Sequence, residues 1–275
     1  MSAKRKNQLP VIGESWTIDF KTPLPTRLSF LIGFLGFICF LLAWHFGSIV
    51  SKNTTLFPSP IQVVLSLFSL FWEDKFLVDI LASLKRVTIS FWIAAVFAIP
   101  LGVLMGSFSP IKSFFGPIVS AGRYLPATAF VPIFLMWFGT GEKQKIALLT
   151  AGVIFFLITL IIDNTMAVPS EYIESAKTLG ANRKDVLWTV ILPASLPVYM
   201  DTLRQMLAVS WTYLVVAEIV AATDGIGAMM MRARRFLNTD EILAGILVIG
   251  ALGLLFDLLF AQLHRWLFPY LREKR

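Results

Sequence analysis

The chain has 275 residues, of which 57% are hydrophobic and 15% are charged, and its mean hydropathy is +0.75. Soluble proteins carry roughly 25% charged residues, so this chain has too little charge to cover a water-soluble globule and its excess apolar surface must face lipid. A single cysteine, Cys39, excludes an internal disulfide, and 2 histidines far apart exclude a zinc site of thiolates and imidazoles. The net charge of +7 is scattered among apolar runs and forms no basic face, which argues against nucleic acid as a partner.

Several apolar runs along the chain are long enough to cross a bilayer as helices, which takes about 20 residues each. They lack the alternation of a membrane β-barrel, so we expect an all-α, polytopic membrane protein with about six transmembrane helices. Pro126 and Pro132 should kink the third span, and the last two spans each carry one acid, Glu218 or Asp257. The predicted spans are 28–47, 87–111, 124–141, 146–162, 205–223 and 242–263.

The Lys and Arg residues between the spans predict the orientation of the chain. Lys112 and Arg123 fall in the second inner connection if the N-terminus is cytoplasmic, and Lys85 and Arg86 then fall in the first outer one. This arrangement puts more positive charge on the inner side, as the positive-inside rule requires. We therefore expect both termini in the cytoplasm, with a short cytoplasmic segment, 1–27, before a single membrane domain, 28–275.

Two outer connections carry local signals. Residues 61–72 show apolar side chains at the three-and-four spacing of an amphipathic helix, which we expect to lie at the outer interface. Residues 224–227, Asp-Gly-Ile-Gly, should break the chain after the fifth span, ahead of Arg232, Arg234 and Arg235.

The inner connection 163–193 predicts two short helices that meet at a bend. The first begins after Pro169 and ends at Gly180, a residue suited to the left-handed conformation that ends helices. The second begins at Asn182, with Asp185 placed to complete a capping box, and Pro193 should begin the next break. The small side chains on the first helix leave room for another surface to approach, although a solvated connector between two spans fits the pattern about as well.

The same connection resembles the EAA loop of permease subunits in binding-protein-dependent ABC importers. That pattern is E-A-A, three residues, G, nine residues, then I-x-L-P, and every spacing is kept here. Ser175 and Val190 depart from it by one small change each. The matching residues are Glu174, Ser175, Ala176, Gly180, Val190, Leu192 and Pro193.

Further segments resemble the nitrate, sulfonate, taurine and bicarbonate subfamily, over a core of about 84–265. These segments are 83–86, 99–102, 132–133, 137–142, 217–218, 225–227 and 239–240. The resemblance implies a type I importer permease in the bacterial inner membrane, working as a homodimer with separate ATPase subunits and an outer solute-binding protein. It also implies that the loop 163–193 docks on the ATPase, and it favours a small anion as the solute.

The chain lacks a phosphate-binding loop of its own. Its nearest approach, 106–113, has Ile111 where a second glycine would be needed, so the backbone cannot approach a phosphate there. We expect no catalytic residue, no metal and no cofactor in this chain, with ATP and Mg²⁺ bound by the partner ATPase.

Some polar residues at membrane depth are candidates for the solute path or its gate, because charged and polar groups in lipid usually mark a path or a buried pair. Packing contacts or ordinary kinks explain each of them as well, and for Glu218 a hydrogen bond that fixes the broken helix is the favoured alternative. These candidates are Tyr124, Pro126, Thr128, Ser210, Tyr213 and Glu218.

The cluster of Arg232, Arg234 and Arg235 has two interpretations: a docking site for the solute-binding protein, or a solvated charge run. Two other functional classes also remain open for the whole chain. An ion-coupled secondary carrier would normally show two related halves, which are not evident here. A membrane scaffold without a path predicts that solute uptake survives its loss.

Overall fold

The computed structural model describes residues 25–51, 53, 55–72, 74–220 and 222–274, so nearly all of the predicted cytoplasmic segment 1–27 lies outside it. Within these ranges the regular structure is helical throughout, which confirms the all-α prediction. The α-helices are α1 (Thr26–Ser51), α2 (Pro60–Phe71), α3 (Asp74–Ser107), α4 (Ser109–Tyr124), α5 (Val131–Phe138), α6 (Glu142–Met166), α7 (Ser170–Thr178), α8 (Arg183–Val186), α9 (Leu192–Ile219), α10 (Ile226–Arg235) and α11 (Thr239–Leu267).

Five helical stretches among the described residues are long and apolar enough to cross a membrane, and a sixth is formed by two helices bent at a break. The unbroken ones are α1, α3, α6, the continuous stretch Arg183–Ile219, and α11. The predicted number of spans is therefore confirmed. The second of them begins well before its predicted start, because the polar residues from Lys75 to Arg86 belong to α3 and not to an outer loop.

The third predicted span is wrong as a single kinked helix. Residues Ser109–Tyr124 form α4, and the chain then bends by 91° into the segment Ala127–Phe138, which is a 3-10 turn followed by α5. Leu125 at the break has extended backbone, as expected for a residue that precedes a proline. Pro126 thus stands in a break between two helices, while Pro132 opens α5.

The packing of α3 on α6 shows why the bent pair must cross the bundle. The two helices run parallel: Arg86 contacts Glu142, Thr150 donates to the Ser90 carbonyl, and a Cβ on Gly102 would lie 2.7 Å from Ile161. Since both helices run in the same direction, the chain between them has to return to its starting end. We call that end, where Arg86 lies, the Arg86 end, and the opposite end, where α7 lies, the loop end.

The fifth span begins at the loop, and the predicted break at Pro193 is wrong. Helical structure runs from Arg183 to Ile219, with a π-helical turn at Leu187–Ile191 just ahead of the proline. A π turn widens the helix and shifts its hydrogen bonds, so it accommodates the missing N–H and the ring of Pro193 without ending the helix.

Two apolar cores hold the bundle together. The larger is formed mainly by α3, α6 and α9, and its fully buried members include Phe91, Leu157 and Leu214. The smaller lies where α2 and α10 pack against α11, around Val63 and Ile226. As the sequence predicts, α2 is an amphipathic helix, and it begins with a capping box between Ser59 and Gln62. Within the described part of the chain, α1 buries none of its apolar window.

Candidate functional site

Arg86 is the centre of a buried polar cluster at the Arg86 end. Its side chain is 1% exposed and lies on α3. All five guanidinium N–H groups have acceptors: Nε and Nη2 donate to the Glu142 carboxylate at 2.8 and 2.6 Å, and Nη1 donates to Glu218 Oε1 at 2.7 Å. The two remaining N–H groups donate to the carbonyl and the carboxylate of Asp224. Arg86 thus ties together α3, α6, α9 and the connection before α10.

The same cluster caps the beginning of α10. Gly225 N donates to Asp79 Oδ1 at 2.8 Å, Ile226 N to Ser83 Oγ at 2.9 Å, and Gly227 N to Glu218 Oε2 at 2.8 Å. The first N–H groups of a helix have no partner within it, so side chains from α3 and α9 supply what the helix lacks. The positive φ of Gly225, 108°, brings these N–H groups close to the carboxylates.

Glycine is required at position 225 for a second reason. A Cβ there would lie 2.5 Å from Arg86 Nη1 and would also meet the Glu218 carboxylate. Glu218 accepts a hydrogen bond from the chain just after α9 breaks, as its favoured alternative describes, and a role for it in the path or gate stays a prediction. Its carboxylate is fully used by Arg86, Ser83 and Gly227.

The three arginines of the predicted docking cluster differ in their surroundings. Arg232 forms an ion pair with Asp79 and donates to the Thr223 carbonyl, so its charge is compensated within the chain. Arg234 and Arg235 are exposed at the end of α10. Because Asp79 is nearly buried, removal of the Arg232 charge would leave a carboxylate without its cation.

The six candidate path residues do not come together. Ser210 is buried and its hydroxyl donates to the Met206 carbonyl one turn back, while Tyr213 packs against Gly152, where a Cβ would lie 2.9 Å from the ring. Tyr124, Pro126 and Thr128 are exposed at the break between α4 and the 3-10 turn. Three candidates therefore lie at the break. The other three lie on α9, where each already has a hydrogen-bond, packing or ionic partner within the chain.

Arg123 is not in an inner loop, as the charge count assumed. It lies in the last turn of α4, next to Gly122, and a Cβ on Gly122 would be 2.5 Å from the Phe155 ring. Phe155 is near the middle of α6, so α4 carries Arg123 into the depth of the bundle.

At the loop end, the bend between α7 and α8 is fixed by backbone hydrogen bonds. Gly180 N donates to the Lys177 carbonyl at 2.9 Å and Ala181 N to the Ala176 carbonyl at 3.0 Å, which is the Schellman pattern. Gly180 has φ 89°, as the sequence predicts for the residue that ends this helix. The capping box of Asn182 with Asp185 then starts α8.

Large apolar side chains project from this bend. Leu179 is 88% exposed and Trp188 is 67% exposed, while Glu174 and Ser175 are exposed beside them and Ala176 is half-buried. On its other side the loop meets the connection between α3 and α4, where Ile173 and Val186 face Phe108 across a shallow cleft. The loop thus packs on the bundle on one side and is exposed on the other.

The remaining residues of the EAA-like pattern lie on the helix that leads into the fifth span. Val190 belongs to the π-helical turn, and Leu192 and Pro193 begin α9. They therefore continue the bend into a membrane span and do not project from it as Leu179 does.

Sequence reasoning missed both Arg86 and Arg123 as members of the polar interior. For Arg86 a signal was present, because two acids near span ends, Glu142 and Glu218, require a cation and Arg86 is the last residue of a predicted outer connection, directly before the second span. No group of three or more His, Cys, Asp or Glu residues in the described ranges is placed to hold a metal ion.

Comparisons with known proteins agree with this architecture. The family model described as "Binding-protein-dependent transport system inner membrane component" matches residues 98–273. The taurine transport system permease protein of Escherichia coli (strain K12) is 33% identical over 258 residues, covering 92% of this chain and 94% of that protein. The bicarbonate transport system permease protein of Synechococcus elongatus is 29% identical over 259 residues, covering 86% of this chain and 89% of that protein.

The fold is also found among solved structures. One of them, described as inward facing conformations of the MetNI methionine ABC transporter, matches with a TM-score of 0.62 and 20% identity. The match covers 69% of this chain and 94% of that one. At this identity the likeness is evidence for the fold alone.

Proposed function

The chain belongs to the family of binding-protein-dependent transport system inner membrane components, and from this premise we propose that it forms the path for a small oxyanion and couples it to a separate ATPase subunit. In this proposal a second copy of the chain completes the path, and a solute-binding protein delivers the solute at the Arg86 end. Both termini then lie in the cytoplasm, together with the loop end.

The exposed bend between α7 and α8 is the observation that carries the coupling proposal. Leu179 lies outside the spans, so lipid does not explain its exposure, and Trp188 is exposed in the first turns of the stretch Arg183–Ile219, close to the bend. Large apolar side chains ringed by charge are typical of the centre of a protein interface. Glu174, Lys177 and Lys184 supply that ring. The partner surface we propose is a groove on the ATPase subunit, which would bind the nucleotide.

The helix after the bend offers a mechanical route from the ATPase to the path. Since Pro193 does not interrupt it, Arg183–Ile219 is one helical stretch of 37 residues that runs from the loop to Glu218. A displacement of the bend is then carried along this helix toward the Arg86 end. ATP binding would close the partner ATPases, draw two such bends together and shift the spans between inward-open and outward-open states.

Two features support an oxyanion as the solute. The relatives named above are permeases of taurine and bicarbonate systems, and both solutes carry an oxyanion group. In addition, this chain places a cation inside the bundle, at Arg123. The solute-binding protein would set much of the selectivity, since it presents the solute to the path.

The coupling proposal is tested by replacing Gly180 with valine in the complex of this chain with its ATPase. A β-branched residue at φ 89° costs about 1–2 kcal/mol in a left-handed conformation, so the bend should open while the spans stay intact. We expect at least a tenfold weaker association with the ATPase and a matching loss of ATP-driven uptake.

Gly139→Val is the matched control. Gly139 also has a positive φ, 69°, with open space around it, but it follows α5, away from the loop. Association with the ATPase should survive this change. If Gly180→Val and Ala176→Glu both assemble and transport like the wild type, the docking role of the bend is wrong.

A further inference from the structure

Arg123 lies at the depth of the middle of a membrane span. Gly122 contacts Phe155, which is 13 residues from Glu142 at one end of α6 and 11 residues from Met166 at the other. At 1.5 Å per residue, Arg123 is therefore about 20 Å from one end of this helix and about 16 Å from the other. A hydrocarbon core about 30 Å thick, centred on α6, contains this position.

A guanidinium at such a depth needs compensation. Arginine stays charged in proteins, and a charge near the bilayer centre costs roughly 3 kcal/mol or more unless a partner or water offsets it. Every other arginine within the described spans that is buried or half-buried in the bundle has a carboxylate: Arg86 has Glu142 and Glu218, and Arg204 has Asp257. Arg123 has none among the described residues.

The contacts that Arg123 does make account for little of this cost. Its guanidinium carbon is 5.9 Å from the centre of the Tyr124 ring, at the outer limit of a cation–π contact. Its Nε atom is buried and lacks a hydrogen-bond partner. The dipole of α4 also stabilises a cation in its last turn, but this interaction contributes only about 0.3–1 kcal/mol. These contacts offset less than the cost of placing the Arg123 charge at this depth, which indicates that an anion is missing.

The surroundings of Arg123 provide further donors and an opening. Tyr124 is 82% exposed and its hydroxyl has no partner among the described residues; Thr128 is exposed one turn further on. Between them the chain bends by 91°, so α4 does not continue through the bilayer at this point. Non-helical backbone at membrane depth is tolerated where it lines a water-filled cavity or is buried in protein, and interrupted helices form solute sites in other transporters.

We propose that Arg123 and Tyr124 form an oxyanion-binding site in the middle of the path, at which the sulfonate or carboxylate group of the solute replaces the missing carboxylate. This inference rests on the proposed function and gives it a location. Guanidinium matches an oxyanion with two parallel N–H groups, and the tyrosine hydroxyl adds a third donor. In this proposal the solute binds transiently, so the charge of Arg123 is compensated only while a solute passes.

The test uses the complete transporter, with its ATPase and binding protein, in proteoliposomes. Radiolabelled taurine and, in a parallel assay, radiolabelled bicarbonate serve as probes, and the measured quantity is solute transported per ATP hydrolysed. This ratio separates a path residue from a structural one, since loss of structure lowers transport and ATP hydrolysis together. For Arg123→Gln we expect the ratio to fall at least tenfold, and for Arg123→Lys, which keeps a point charge, severalfold.

Two additional variants keep the test decisive if Arg123→Gln does not fold. Tyr124→Phe removes only an exposed hydroxyl and should lower the ratio a few-fold without a loss of assembly. Lys112→Gln, which removes a cation from the same helix at the loop end, should leave the ratio unchanged. Wild-type ratios in both Arg123→Lys and Tyr124→Phe would overturn the site.

Failure of the inference and failure of the proposed function give different results. If the wild-type complex hydrolyses ATP and moves an oxyanion, and Arg123→Gln does the same at the wild-type ratio, only the site is wrong. If the wild-type chain does not associate with an ATPase, or the assembled complex moves neither probe, the proposed function is wrong and the site falls with it.

Discussion

The two ends of the bundle differ in how far contacts within the chain satisfy the side chains found there. At the Arg86 end, carboxylates and N–H groups from four parts of the chain satisfy one another, and the arginine at the centre is 1% exposed. At the loop end, local backbone bonds fix the bend, and the large apolar side chains that project from it are mostly exposed. The first end satisfies its own charged and polar groups, whereas the second leaves large apolar side chains exposed, as the proposed docking on an ATPase requires.

This difference has a physical consequence for mutations. A change at the Arg86 end exposes partners that are buried and charged, so its cost appears in the stability of this chain. If the loop end docks on an ATPase as proposed, a change there removes contacts with that protein, so its cost appears in association.

The largest effect is expected for Arg86→Leu. The change leaves the buried Glu218 carboxylate without its cation, while Glu142 keeps Lys145, and breaking a buried pair in this way costs about 3–5 kcal/mol. Thermal unfolding of the purified permease in detergent should show a large fall in midpoint temperature, or the protein should not accumulate. Arg234→Leu removes an exposed cation from α10 and should change the stability by less than about 0.5 kcal/mol.

A pair of glycine substitutions sharpens the comparison. Gly225 and Gly180 both have positive φ, 108° and 89°, so an alanine at either position costs about 1–2 kcal/mol in backbone strain. Only at Gly225 does the new Cβ collide with the Arg86 cluster, while at Gly180 there is nothing within 4 Å. Gly225→Ala should therefore destabilise the permease clearly more than Gly180→Ala. Equal shifts in midpoint temperature would contradict the tight packing of the cluster.

A smaller effect is expected for Asn182→Ala, which removes the cap of α8. The Asn182 side chain accepts hydrogen bonds from Lys184 N and Asp185 N, and loss of such a cap typically costs about 1 kcal/mol. Hydrogen exchange should rise in α7 and α8, with the core of α6 unaffected. Faster exchange throughout α6 would show that the bend and the bundle unfold as one unit.

The smallest effect on stability is expected for Leu179→Ser. Leu179 is 88% exposed, so the unfolding midpoint of the isolated permease should hardly move. Association with the ATPase should nevertheless weaken, because the apolar tip would be lost. Asp257→Asn provides the reverse case, since it weakens the bidentate pair with Arg204 inside the chain and leaves the bend untouched. Normal ATPase binding by Leu179→Ser would remove this side chain from the interface.

Much of the fold follows from the sequence because the lipid requirement acts on long runs of residues. The number of spans, the capping box at Asn182 and the bend at Gly180 all depend on local patterns, and they agree with the structure. The predictions at two prolines were wrong: the sequence predicted a kink at Pro126 and a break at Pro193, whereas the structure has a break at Pro126 and a continuous helix through Pro193. Both prolines perturb a helix, and whether a π turn or a bend follows depends on packing with distant helices.

The polar interior was harder to predict because its partners are far apart in the sequence. Arg86 was assigned to an outer loop, although its acceptors lie 56 to 138 residues later in the chain. Arg123 was assigned to an inner loop because the helix that carries it, α4, is too polar to be recognised as part of a span. The positive-inside rule counts charges by position along the chain, so it cannot tell a loop cation from a buried one.

The spacing of the Arg86 contacts also bears on biosynthesis. At translation rates of about 5–20 residues per second, the Glu142 codon is read roughly 3 to 11 seconds after that of Arg86, since the two are separated by 56 positions. Asp224 follows only after 138 positions, or roughly 7 to 28 seconds. Until Glu218 and Asp224 have been synthesised, three of the five N–H groups of Arg86 lack their acceptors, so a nascent chain stopped before the fifth span would carry a partly unpaired cation in α3.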